Sequence, residues 1–138
     1  MPDCIFCRII GGEINAHRVY ENEEVLAFLD IHPASRGHKM VVPRVHAERL
    51  DLLEDRHVGS LFLGVKRVMA LLEKALKPDG LNVGWNHGPA AGQHVNHLHV
   101  HILPRYRGDG GGGIQSLIRS STKEDLAGIA SQIRAAGV

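Results

Sequence analysis

The chain has 138 residues, with sixteen Lys and Arg against fifteen Asp and Glu, so its near-zero net charge implies neither a nucleic-acid footprint nor a membrane-surface field. That length suits one domain, 1–138, burying roughly two-thirds of the surface its unfolded chain would expose. MPDCIFC carries neither a basic n-region nor an apolar h-region, and no later stretch is apolar for long enough to span a bilayer, so the expectation is a cytosolic protein.

Cys4 to Ile10 reads as one or two helical turns stopped by Gly11 and Gly12 and anchored by Phe6, Ile9 and Ile10. Two strand-like runs follow, His17 to Tyr20 and Val25 to Leu29, separated by the polar ENEE as in a hairpin. Asp30 ends the second run, HPASRG forms a loop, and His38 to Pro43 supplies a third strand around Met40, Val41 and Val42. Arg44 to Leu53 is a connector with a short helix. From Arg56 to Leu76, apolar residues including Leu61, Val65, Val68 and Leu72 recur at steps of three and four, the pattern of a helix packed on a sheet. Pro78 and Gly80 stop it. Leu81 to Asn86 reads as a fourth strand, HGPAAG as a turn, Val95 to Leu103 as a fifth strand, and RYRGDGGGG as a mobile loop. Ser121 with Glu124 forms a capping-box signal, and Leu126, Ile129, Ala130 and Ile133 stripe a closing helix. Strand runs on both sides of one long helix favour an antiparallel α+β domain over a parallel, doubly wound one.

The fifth strand carries His97, His99 and His101 at every second residue. On a strand, three such imidazoles share one face, and Asn96, Leu98, Val100 and Ile102 share the other. The outer two then lie about 13 Å apart at Cα, leaving the middle one flanked on both sides. Neutral imidazole is a nucleophile and a metal ligand near pH 7. Cys4 and Cys7, spaced C-x-x-C, cannot staple the fold; they suit either a redox pair or a metal. Lying one turn apart they can share an ion, and His46 and His97 would complete a closed tetrahedral zinc set that is structural in character. His97 then orients the strand.

HLHVHIL, with the preceding GQHV, resembles the signature of the histidine triad (HIT) family of nucleotide hydrolases and transferases, and the likeness extends through CIFCRII, FLDIHPASRGHKMVVPRVH and HILPRYRGD. The resemblance implies a five-stranded antiparallel sheet with a helix across it, paired by two-fold symmetry into a homodimer. It implies that His99 attacks the α-phosphate of a purine nucleotide conjugate, a phosphoramidate or a dinucleoside polyphosphate, and passes through a nucleotidyl-histidine. His101, Gln93 and Asn86 match positions around the phosphate, Gly92 belongs to the lead-in, and Asp30 matches the position that holds the ribose. Taken alone, an aspartate at a strand end is an ordinary turn residue. Phe6, Phe28 and Ile31 suit either the framing of a base or the core. His94 stands where relatives carry Ser or Thr near the leaving group, and reads equally as a general acid or a surface residue. Some bacterial-type relatives bind zinc with residues matching the cysteine and histidine set.

Two rivals share these residues. One is a nucleotide-binding sensor or adaptor with little turnover. The other is a metal-dependent enzyme using the triad as ligands, which would need a further ligand converging on that face, and no histidine follows His101.

Overall fold

The computed structural model describes residues 3–137. Helix α1 (Ile5–Ile10) is capped by the Cys4 thiol, whose Sγ accepts from the Cys7 amide at 3.4 Å. Strands β1 (Arg18–Glu21) and β2 (Val25–Leu29) form a hairpin turned by Asn22, whose side-chain oxygen accepts from the Glu24 and Val25 amides. Strand β3 (Lys39–Pro43), helix α2 (Asp55–Leu76), strands β4 (Gly80–Gly84) and β5 (Val100–Arg105), and helix α3 (Leu126–Ala136) complete the chain. All pairings are antiparallel, in the order β1-β2-β3-β5-β4. Among the described residues, no helix is long and apolar enough to cross a membrane.

The two faces of the sheet are chemically different. One carries Val25, Ala27, Val41, Val100 and Ile102, all packed with Leu61, Val65, Val68 and Leu72 of α2 into a single core. Helix and sheet approach closely at Gly64, where an added Cβ would stand 2.8 Å from a Val25 methyl. Any side chain there would push α2 off β2. The opposite face carries Leu26, Phe28, Met40 and Val42, closed at one side by Phe6 and Ile9 of α1. Towards β5 and β4 that face is left to the histidines.

The expected fifth strand, Val95 to Leu103, is displaced: the ladder covers only Val100–Arg105. Proline explains the shift. Extending the register from Val41 opposite Val100 places Pro43 opposite Leu98, and Pro43 has no amide to donate. The Leu98 amide bonds instead to the Ala47 carbonyl at 2.8 Å, and the Pro43 carbonyl is taken by a side chain. His97 and His99 therefore lie on the segment leading into β5 rather than within it, and only His101 belongs to the ladder.

Three other expectations change. Strand β4 stops at Gly84, so Trp85 and Asn86 belong to the following loop. The N-cap of α3 is Asp125, which accepts from the Gly128 amide at 3.2 Å, and the Ser121–Glu124 box is not used. The α3 stripe is not buried: Leu126 is 78% exposed and Ile133 68%. The glycine-rich segment is a loop, as expected, and Arg105 at its start grips Asp109 with two bonds of 2.8 Å and also reaches Asn82 and the Gly112 carbonyl.

Candidate functional site

Each histidine of the triad has one ring nitrogen committed to a different partner, and that commitment fixes what the other nitrogen can do. His97 is fully buried, and its Nε2 lies 2.9 Å from the Pro43 carbonyl. A carbonyl only accepts, so Nε2 carries the proton and Nδ1 presents its lone pair. That lone pair faces the cysteines, 3.5 Å from Cys4 Sγ and 3.6 Å from Cys7 Sγ. Cys7 Sγ is in turn 3.3 Å from His46 Nδ1. The four donor atoms lie within 4.8 Å of one another.

Do these residues fit a metal? For tetrahedral zinc with sulfur at about 2.3 Å and nitrogen at about 2.05 Å, sulfur and nitrogen ligands sit about 3.5 Å apart. The observed separations match that edge length. The outward N–H of His97 is held by an acceptor, as a metal-bound imidazole requires. Burial drives the His97 imidazole down to about 4, so it is neutral and able to ligate. Cys4, Cys7, His46 and His97 can hold a metal ion.

His99 is oriented by its own chain. Its Nδ1 lies 2.7 Å from the His97 carbonyl and donates to it, leaving Nε2 unprotonated. Burial lowers its proton affinity and the His94 charge adds to that effect; the His97 carbonyl and Asp30 oppose both. Phe6 packs edge-on against the ring with centroids 5.1 Å apart, and the same phenyl meets Phe28 at 5.4 Å. Phe6 and Phe28 are thus core residues that also wall the His99 ring.

His101 is set by His38, the residue just before β3. The Ala34 amide donates to His38 Nδ1 at 3.0 Å, so the His38 proton sits on Nε2, which lies 2.9 Å from His101 Nδ1. His101 must accept there, and its own proton is placed on Nε2 as a free donor. Burial first, then the neighbouring His99 and His38 charges, push His101 down to about 4. Asp30 stands at the same cluster, its Oδ2 3.6 Å from His38 Nε2 and its Oδ1 accepting from the His32 amide at 2.8 Å. Asp30, His38 and His101 lie within 4.8 Å of one another, so further candidate ligands do converge with His101. An ion would need the His38 Nε2 lone pair, which the Ala34 amide assigns to Nδ1 instead. The cluster is built as a hydrogen-bonded relay.

The remaining candidates divide. Gln93 is buried and its amide is spent on the main chain: Oε1 accepts from the Gly88 amide at 2.9 Å, and Nε2 donates to the Glu48 and Val95 carbonyls at 2.7 and 3.0 Å. It ties the loop before the triad to the connector after β3, and both carbonyls it donates to are main-chain. Gly92 makes the turn possible, with φ of 96°, and Asn86 Nδ2 reaches its carbonyl at 3.4 Å. His94 is exposed, and Ile31 is 76% exposed. A cavity of about 480 Å³ opens on the far side of His101, lined by His38, Asn82, Trp85, Asn86 and Leu103 among others. His38 left no sequence signal because its role depends on strand register, which places Met40 opposite His101 and brings the start of β3 beside the triad.

Comparison with known proteins agrees with the resemblance. A family model described as HIT domain matches residues 11–108. An adenosine 5'-monophosphoramidase of Schizosaccharomyces pombe is 40% identical over 111 residues, covering 80% of each chain. An adenylylsulfatase of Arabidopsis thaliana is 37% identical over 123 residues, covering 89% of this chain and 62% of that protein. A crystal structure of a HIT family member from Bacillus subtilis superposes with a TM-score of 0.83 at 40% identity, covering 96% of each chain.

Proposed function

The chain belongs to the HIT domain family, and on that premise we propose that it hydrolyses purine nucleotide conjugates at the α-phosphate through a covalent intermediate on His99. The observation that carries this reading is the His99 to His97 carbonyl bond, which aims a neutral Nε2 lone pair out of the strand. In the first step that lone pair forms a P–N bond as the bond to the leaving group breaks; water then opens the P–N bond, releasing a nucleoside monophosphate and restoring the imidazole. Splitting one displacement into two lowers each barrier.

His101 is assigned the donor role. Its Nε2–H, held by the relay from Ala34 through His38, is available to a phosphoryl oxygen as charge develops. His94, exposed at the mouth and near enough to influence His99, hands a proton to the departing group. Asp30 uses its Oδ2 for a ribose hydroxyl, since Oδ1 is already engaged. Ile31 and the Phe6–Phe28 pair offer apolar surface to the base, and Asn86 and Gly92 border the phosphate. Gln93 is assigned to holding the loop. The cysteine and histidine set binds zinc, which ties α1 to the segment leading into β5 and fixes the His97 carbonyl that in turn orients His99. The working form is a homodimer in the cytoplasm, acting on small nucleotides.

The relatives named above include a phosphoramidase and an adenylylsulfatase, which supports hydrolysis of a nucleotide conjugate. Parallel incubation with adenosine phosphoramidate and diadenosine polyphosphates tests it. AMP release from at least one, lost in His99→Ala, is expected; equal rates in that variant would refute the assignment.

A further inference from the structure

The cavity beyond His101 is the feature that the reaction so far leaves unused. Its floor is the β5–β4 strip of the site face, Leu103 beside Asn82 and His101 beside Gly84 in register. Trp85 forms one wall, 37% exposed and braced edge-on by Phe62 at a centroid distance of 5.5 Å, so its ring plane is fixed before any ligand arrives. Ile114 and Leu117 also line the space, and both are largely exposed.

Besides His38, His101 and the Arg105–Asp109 pair, which are already engaged, the lining offers two asparagine amides. Asn82 has its oxygen bound to Arg105, which leaves its amide nitrogen free to donate. Asn86 uses its nitrogen on the Gly92 carbonyl, which leaves its oxygen free to accept. Ser35 also lines the space, but its Oγ is sealed from solvent and is not presented to it. An aromatic wall, apolar surface from Leu103, Ile114 and Leu117, and a few donors and acceptors around about 480 Å³ are the make-up of a site for a nucleoside-sized heterocycle.

We propose that this cavity is a second nucleoside subsite, which receives the leaving half of a dinucleoside polyphosphate with its base stacked on Trp85. The inference rests on the nucleotidyl-transfer reading, since it takes the phosphate chain to cross His101 between two nucleosides. It selects one of the two substrate classes: a small amine leaving group has nothing to place against Trp85, and a second nucleoside does. Base stacking on an aromatic side chain is worth enough to change a specificity constant by about tenfold or more.

Trp85 is the chain's single tryptophan, so its fluorescence reports this wall alone. Titration of the full-length protein with diadenosine triphosphate should quench that emission saturably, and adenosine phosphoramidate should not. In Trp85→Ala, the ratio of kcat/KM for diadenosine triphosphate to that for adenosine phosphoramidate should fall about tenfold, and Trp85→Phe should restore most of it. Equal quenching by both ligands, no quenching by either because a second copy covers the ring, or an unchanged ratio in Trp85→Ala would each overturn the subsite. His99→Ala separates the two claims. Quenching retained with turnover lost supports both, and turnover retained refutes the covalent reading whatever Trp85 reports.

Discussion

The helix-covered face and the site face of the sheet are built from the same strands, residue by residue in alternation, yet they are stabilised in opposite ways. On one, Leu98, Val100 and Ile102 pack into one apolar core with α2 and the sheet, where an apolar group of the right volume would serve. On the other, His97, His99 and His101 each need one particular partner: the Pro43 carbonyl, the His97 carbonyl and His38. Packing tolerates substitution by volume, but a tautomer is decided by a single acceptor or donor. Stability should therefore reside mainly in the first face and activity in the second, with the cysteine and histidine set bridging them.

Substitutions on each face can break or sharpen that contrast. The largest effect belongs to His99→Ala, which should lower turnover by at least about 10³-fold while leaving the denaturation midpoint and AMP binding close to those of the parent. Steady-state assays and calorimetry measure the two sides. Across the sheet, Leu98→Ala should do the reverse, costing about 2–5 kcal/mol in urea denaturation with kcat per folded molecule largely kept. Cys4→Ala should lower both zinc content and stability, read by elemental analysis and thermal melting; unchanged values of both would separate the metal from the fold. His38→Gln should lower kcat by roughly fivefold to tenfold, the worth of one hydrogen bond to His101, without a comparable loss of stability.

The smallest effect is on pH dependence. Burial is the main cause holding His99 below its ordinary value of 6.5, so it stays neutral and nucleophilic through that pH. Protonation at Nε2 removes the attacking lone pair, so the acid limb of kcat/KM should fall with a midpoint below 6.5, and the rate should be retained as pH rises through neutrality. A midpoint above 6.5 would mean that an opposite charge, and not burial, governs the ring.

Much of this contrast was legible in the chain itself. Periods of two and of three to four residues are local, so α2, β2, β3 and the alternating triad could be placed directly, as could the C-x-x-C pair that meets His46 and His97. What stayed hidden depends on contacts between distant segments. Pro43 ends a ladder with residues more than fifty positions away, which no window around Val95 to Leu103 reveals. His38 becomes the partner of His101 only once β3 lies beside β5. Gln93 carries the right chemistry for a phosphate and spends it on carbonyls of its surroundings. The α3 stripe has the same spacing as that of α2, but spacing alone does not say what a helix packs on, and its apolar residues remain exposed.

The central claim is that His99 Nε2, left unprotonated by the His97 carbonyl, forms a bond to phosphorus. Rapid quenching of a single turnover with α-labelled diadenosine triphosphate, followed by digestion and mass spectrometry, tests this most directly. The account predicts an acid-labile AMP adduct on the peptide containing His99, formed and lost at rates consistent with turnover and absent from His99→Ala. Turnover with no adduct at any time, or an adduct borne by His101 or His38, would contradict it.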